Sequence, residues 1–289
     1  MAGAGLLGLA AIAAAPLVAQ EAPAPPIIVE GERPQDEKAL TDLARDLAGR
    51  PRADRPLARF EQPLCLMVAS GDIALGKEIA ERIIDNARRA GVRVRGRGCK
   101  TNALLTLSDD AHAQLVDIRK SGKRIFAGLS QRKIDAVLGA RDPVYVFQAS
   151  ETTAASGQAI PKVMPDDQPT NNVTAMGRLS RLTREDMLAA LVVVDNAAVT
   201  GLTPVQIADY ASLRLLAPTG EVDVAEAEAN APRTIMTLFA APASAPQTMT
   251  RFDRAYLKAL YRMPAGSLAR EVLRVAVVDS ARGDASQED

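Results

Sequence analysis

The fold is decided by the stretch AALVVVDNAAVTGLTPVQIADYASLRLLAP, which spans residues 189–218. Within it, Leu191–Asp195 is an apolar, β-branched run of strand length. A helix is predicted to follow, because Thr203 can cap it, Pro204 suits its first position and Gln206 lies three residues after the cap. A buried strand that leads through a tight turn into a capped helix is typical of the centre of an α/β domain.

The composition favours a globular protein with an aliphatic core. Of the 289 residues, 47% are apolar and only 3% are aromatic, so the core must rest on Ala, Val, Leu and Ile. Lys plus Arg and Asp plus Glu are equal at 35 each, a balance that argues against a nucleic-acid partner. We predict an α/β or α+β fold in which helices pack on a mixed sheet.

Changes in amino-acid composition and hydrophobic pattern along the chain divide it into six predicted segments. They are a signal peptide (1–19), a flexible Pro-rich tether (20–57), an α/β region (58–150), a long loop or linker (151–180), a strand-helix region (181–279) and a disordered tail (280–289). Within the tether, the alternative for Lys38–Leu47 is a short helix.

The first segment indicates export. Residues 1–19 are uncharged and rich in Ala and Leu, but they are few for a membrane span and Pro16 interrupts them. We therefore expect a periplasmic or secreted protein with no transmembrane span after signal removal. An uncleaved anchor is the alternative.

Strands and helices alternate in the α/β region. Helices are predicted from the apolar spacing of Ile79 to Ala90, after Asp109 and Asp110, and from Ser130 to Leu138. The predicted strands are Cys65–Ala69, the alternating Val92 and Val94, Ala103–Leu107 and Val144–Gln148.

Cys65 and Cys99 are the most specific pair in the sequence. They are the only two cysteines, and they flank a predicted β-α-β unit in a chain that carries a predicted signal peptide. Two cysteines in an exported chain favour a single disulfide.

Metal and nucleophile motifs are absent from the sequence. His112 is the only histidine, and a zinc site needs three or four N, S or O ligands held together. No G-x-S-x-G elbow occurs, and no histidine lies close in sequence to a plausible Ser or Cys nucleophile. We expect no bound metal or other cofactor.

Residues 71–77, GDIALGK, match the G-x4-G-K pattern of a phosphate-binding loop between a predicted strand and a predicted helix. Against that reading, Glu78 replaces the Ser or Thr that should hold magnesium, and Asp72 puts a negative charge in the loop. The preferred interpretation is a helix N-terminus that holds two glycines.

Two further sets of polar residues stand out. Arg93, Arg95, Arg97 and Lys100 form a basic stripe, which we interpret as a solvated strand edge. The predicted helix from Pro204 carries Gln206, Asp209 and Tyr210 as inward-capable polar groups, and these three residues are the candidate pocket.

Several motifs resemble an uncharacterised family of exported bacterial proteins. They are the opening IIVEGERP, the PLC and GC-x-x-N sites around Cys65 and Cys99, and GLTPVQIADYASLRLLAP. More distantly, the last hundred or so residues resemble exported zincin-like proteins of unknown activity. The segments that carry this likeness are Leu191–Asp195, Pro204–Leu216, Thr234–Phe239 and Met249–Tyr261.

The zincin resemblance implies a degenerate fold without its metal. Where a zincin helix carries His-Glu, Gln206 and Tyr210 take the two ligand positions and Ile207 takes the position of the base. We therefore expect an exported protein with a non-catalytic binding or structural role and an envelope protein as partner. The alternative is a hydrolase or peptidase with an unrecognised site that does not use zinc.

Overall fold

The computed structural model describes residues 37–121, 131–160, 182–222 and 232–282. Its four strands form one mixed sheet in the order β1-β2-β4-β3, in which β1, β2 and β4 are parallel and β3 is antiparallel to β4. The strands are β1 (Leu66–Ala69), β2 (Ala103–Ser108), β3 (Val144–Ala154) and β4 (Thr183–Asp195). The predicted α/β class is confirmed.

Seven α-helices among the described residues cover the two faces of the sheet. They are α1 (Glu37–Leu47), α2 (Ile73–Ala90), α3 (Ala111–Lys120), α4 (Gln131–Gly139), α5 (Pro204–Leu216), α6 (Arg251–Arg262) and α7 (Ala269–Arg282). The main core lies on one face and includes Leu105 and Val192. Helices α2 and α5 pack on this face, α6 packs on α2 and α5, α7 packs on α6, and α1 packs on α7. The other face is smaller, and there Leu191 and Val193 meet α3 and α4.

The central strand and helix form as the sequence predicts. Leu191–Asp195 is the end of the longer strand β4, which has a neighbour on both sides and therefore reads as a continuous apolar run. Thr203 and Gln206 make the predicted capping box of α5, and Pro204 is the first residue of that helix. Every residue of α5 from Gln206 to Leu216 is buried, so this helix lies at the centre of the fold.

In the described part of the segment predicted as a tether (20–57), the alternative of a short helix at Lys38–Leu47 is the one that the structure contains. Residues 37–47 form α1, and Leu40, Leu43 and Leu47 are buried in the main core. Their spacing places all three on one face of the helix, and that face packs against α7. The folded unit therefore includes residues that a Pro-rich composition had assigned to a linker.

Two further predictions need correction. Val92 and Val94 do not form a strand, because only Val94 pairs, through an isolated bridge to Leu64. The long loop predicted for 151–180 begins later than expected, since β3 continues to Ala154 and pairs with β4 along its whole length. The remainder of that loop from residue 161, the signal peptide, the tether before residue 37 and the tail from residue 283 lie outside the described residues.

The two predicted folded regions share one sheet. Strand β4, from the second region, lies between β2 and β3, which come from the first. The predicted disulfide is confirmed: Cys65 and Cys99 are bonded, with their Cα atoms 5.9 Å apart. Across the described part of the chain, no helix combines the length and the apolar character needed to span a membrane.

Candidate functional site

The three candidate pocket residues lie on α5 and are almost completely buried. The exposed fractions of Gln206, Asp209 and Tyr210 are 3%, 0% and 3%. The helix brings them onto neighbouring turns, yet each side chain engages a different part of the protein. The nature of these partners decides what the three residues can do.

Asp209 accepts five hydrogen bonds. Arg82 donates to both carboxylate oxygens, from Nε at 2.8 Å and from Nη2 at 3.0 Å. The Asn86 amide (2.7 Å), the Thr248 hydroxyl (2.6 Å) and the Met249 backbone N–H (2.8 Å) donate the other three. Burial alone would raise the pKa of Asp209, but these donors outweigh it and hold the pKa below its usual value.

Tyr210 belongs to a buried cluster at the C-terminal half of α5. Its hydroxyl accepts a hydrogen bond from Nε of Arg214 at 3.0 Å, and its ring meets Phe239 edge-on at a centroid distance of 4.8 Å. Burial raises the pKa of Tyr210. Arg214 is itself only 4% exposed and also donates to Thr219, the Gly220 carbonyl and Glu221. The cluster fixes the chain that leaves α5.

Gln206 stabilises the N-terminus of α5. Its side-chain oxygen accepts from the backbone N–H of Thr203 at 3.1 Å, and its amide nitrogen donates to the Pro246 carbonyl at 3.1 Å. Ile207, which takes the base position in the zincin comparison, is 2% exposed and packs in the main core. On this evidence the polar groups of α5 join α2, the 246–249 loop and the 219–221 loop to one another.

A second fully buried carboxylate lies on α6. Asp253 completes the capping box with Thr250 and also accepts from the Thr234 hydroxyl and the Ile235 N–H, at 2.5 and 2.9 Å. Burial raises the pKa of Asp253 in spite of these donors. It anchors the segment predicted as an apolar run, Thr234–Phe239, whose first half is a single 3-10 turn.

A crevice opens where the carboxyl ends of β2 and β4 meet the start of β3. After β2 the chain turns to α3 on one face of the sheet, whereas after β4 it turns to α5 on the other face. Adjacent strands whose connections leave in opposite directions create such a crevice in open α/β sheets. Its volume is about 420 Å³, and its polar lining residues include Asp109, Asp110, His112, Arg141, Asp142 and Asp195.

Most acidic groups of the crevice have structural partners. Asp195 accepts from the N–H groups of Ala197 and Ala111, Asp110 caps α3, and Asp109 accepts from the Asn196 amide at 2.6 Å. These bonds connect the loops after β2 and β4 directly. Nε2 of His112 lies 2.7 Å from the Leu138 carbonyl. Because a carbonyl can only accept, Nε2 carries a proton and donates this bond.

The other sequence candidates have plain structural roles. The G-x4-G-K match is not a loop: α2 begins at Ile73, Asp72 caps it through the N–H groups of Ala74 and Leu75, and Gly76 is buried within the helix. Among the described residues, no three His, Cys, Asp or Glu side chains are grouped so that they could hold a metal ion.

Sequence reasoning missed Arg82, Asn86, Thr248 and Arg214, which complete the buried polar networks. One signal was present: Asn86 interrupts the apolar face formed by Ile79, Ile83, Ala87 and Ala90 on α2. A polar residue on such a face needs a buried partner.

Comparison of the chain with protein-family models, with curated proteins and with solved structures found no match. The resemblances to an exported family and to zincin-like proteins therefore stay predictions, and the function must be argued from the geometry.

Proposed function

We propose that this chain is an exported protein of the periplasm or envelope with a non-catalytic binding or structural role. In this proposal the second half is a zincin-like scaffold whose central helix has become a packing element. One observation carries the proposal: the polar side chains of α5 are buried and committed to bonds within the protein.

A catalytic side chain must be able to contact a substrate. The polar side chains of α5 are buried and cannot do so. Asp209 has no exposed surface, and its five donors occupy both oxygens. A general base needs an oxygen or nitrogen within hydrogen-bonding reach of the proton it removes. The donors around Asp209 therefore favour a structural role for it.

Export is supported by the covalent bond between Cys65 and Cys99. Disulfides form and persist in oxidising compartments such as the periplasm and are rare in the cytosol. The apolar start of the chain, residues 1–19, gives the same indication independently.

Two measurements test the proposal. Expression of the full chain followed by fractionation and N-terminal sequencing should recover a protein that begins near Gln20 in the envelope fraction. Recovery only of protein that begins at Met1 in the cytosol would contradict export.

The non-catalytic role is tested on the purified protein with elemental analysis and a panel of peptide and ester substrates. We expect neither stoichiometric zinc nor turnover, and we expect Gln206→Ala to change stability alone. Stoichiometric zinc together with a peptidase activity that Gln206→Ala abolishes would refute the proposal.

The second candidate function, a hydrolase or peptidase without zinc, is favoured by the crevice. His112 and several carboxylates line this crevice, and imidazole and carboxylate groups are those of acid-base chemistry. If the substrate panel detects turnover, His112→Asn should abolish it, whereas Gln131→Ala, on the exposed start of α4, should not. That pattern would replace the first proposal with the second.

A further inference from the structure

Strand β1 is an edge strand of the four-stranded sheet, and no other described strand pairs with its outer side. Leu64, just before the strand, uses its outward N–H and C=O to bond Arg93 and Arg95, each at 2.8 Å. Outward and inward backbone groups alternate along a strand, so the N–H and C=O groups of Leu66 and Val68 also point outward. Among the described residues, nothing bonds to these outward groups.

Among the described residues, no segment pairs with β1 on this side beyond the bridge between Leu64 and Val94. The segment that pairs with Leu64 leaves the strand after Arg95 and turns through Gly96 and Gly98 to the disulfide at Cys99. A methyl group built on either glycine would meet no atom within 4 Å. The side chain of Met67, in the middle of the strand, is 47% exposed. We call the outward groups of Leu66 and Val68, with Met67, the β1 edge.

Positive charge is concentrated beside the β1 edge. Arg93, Arg95, Arg97 and Lys100 are all exposed, and no Asp or Glu occurs between Gly91 and Ser108. Across the part of the chain that the structure describes, Arg95, Arg97 and Lys100 form no salt bridge. The bond from Arg95 to Leu64 and the disulfide between Cys99 and Cys65 hold this basic segment next to the first open residue, Leu66.

The position of these charges differs from that of ordinary edge protection. Charged residues that protect an edge stand on the edge strand itself. Here β1 reads LMVA, without a charge or a proline, and the cations lie on the neighbouring segment. They repel a second copy of the same edge and attract an acidic strand.

We infer that the β1 edge binds an extended, acidic segment of a partner protein, which adds to the sheet as a fifth strand. Backbone groups of Leu66 and Val68 would supply the main-chain bonds, the basic segment would receive the acidic side chains, and Met67 would contact an apolar one. This inference goes beyond the proposed function and holds whether or not the protein is catalytic.

The test uses the mature protein with its disulfide intact and a labelled hexapeptide of alternating glutamate and valine. Binding is measured by fluorescence anisotropy at low salt. We expect saturable binding that a lysine-valine hexapeptide does not reproduce. Methylation of the peptide's backbone nitrogens should weaken binding about tenfold, because two main-chain bonds are lost at unchanged charge. Bound peptide should slow hydrogen exchange at the amides of Leu66 and Val68.

Matched variants separate charge at the edge from charge in general. The double variant Arg95→Glu/Arg97→Glu should weaken binding about tenfold or more, whereas Arg270→Glu/Arg274→Glu, the same change of charge on the exposed side of α7, should change it less than about twofold. Lack of saturable binding, or equal loss in both variants, would overturn the inference. So would equal binding of the methylated peptide, which would indicate a general surface for polyanions or anionic lipid.

Discussion

Arg82 on α2 and Asp209 on α5 form a two-pronged ion pair, with Nε to Oδ1 at 2.8 Å and Nη2 to Oδ2 at 3.0 Å. The residues are 127 positions apart in the chain, and their contact joins the two helices that lie side by side on the main face of the sheet. The carboxylate has no exposed surface, whereas the arginine side chain is 35% exposed. Water therefore reaches the arginine of this pair but not the carboxylate.

Arg82→Met should lower the free energy of unfolding by about 3 kcal/mol, since it leaves the buried carboxylate of Asp209 without its cation. We place the effect at the low end of the range for buried pairs because water reaches the arginine. The matched control is Arg89→Met on the same helix, which breaks an exposed pair with Asp85 and should cost less than about 1 kcal/mol. Urea denaturation checks both values, and equal losses would contradict the role assigned to Arg82.

Acid should remove the stabilisation that Asp209 provides. The pKa of this group is lower in the folded protein than in the unfolded chain, so its contribution is present above the unfolded value of about 4 and is lost as the pH falls through the folded value. The difference in unfolding free energy between the wild type and Asp209→Asn should therefore shrink below about pH 4. A difference that stays constant down to pH 2 would count against this assignment.

Asp253 should show the opposite dependence. Its pKa is raised by burial, so its contribution is fully present below the unfolded value and is lost as the pH rises through the folded value. The stability of the wild type relative to Asp253→Asn should therefore decrease with increasing pH. Thermal unfolding of both proteins across a series of buffers tests this, and an increase would show that its hydrogen bonds outweigh burial.

Loss of the disulfide should destabilise the protein without changing its fold. The bond joins residues 34 positions apart, for which chain entropy gives a stabilisation of about 3–4 kcal/mol. The double variant Cys65→Ser/Cys99→Ser should have a lower denaturation midpoint than the oxidised wild type, and reduction of the wild type should give the same shift. If reduction leaves the midpoint unchanged, the bond contributes nothing to stability.

Ala211→Leu should destabilise by overpacking. Ala211 is 1% exposed in the middle of α5, where the helix lies close to the sheet and to α2, so a larger side chain should cost about 1–3 kcal/mol. Ala113→Leu makes the same substitution at an exposed position of α3 and should leave the free energy of unfolding nearly unchanged. Equal denaturation midpoints for the two variants would mean that the packing around Ala211 accommodates the larger side chain.

Some features of the fold were predictable from the sequence because the interactions that determine them are local. The cap at Thr203, the proline at the first helical position and the apolar run at Leu191 each act within a few residues, so the sequence carries them directly. The α1 helix was also legible from the spacing of Leu40, Leu43 and Leu47, but the Pro-rich composition around it favoured a tether.

Features that depend on distant partners could not be predicted. Asp209 was predicted as an inward-capable polar group, but nothing near it in sequence indicates that Arg82 and Thr248 are its partners. Val92 and Val94 alternate as a strand would, yet the disulfide at Cys99 and the glycines before it turn the chain away after one bridge. The crevice arises from strand order, which single segments do not encode.

The bond between Cys65 and Cys99 also has a mechanical consequence. If the folded unit is pulled by its two ends, the residues between the cysteines cannot extend, because the sulfur atoms carry the load past them. Because the cysteines are 34 positions apart in the chain, the oxidised protein should unravel to a contour length about 105–115 Å shorter than the reduced protein. Strand β1 and helix α2 lie inside this closed loop, so force applied to the chain ends would not be transmitted through either element.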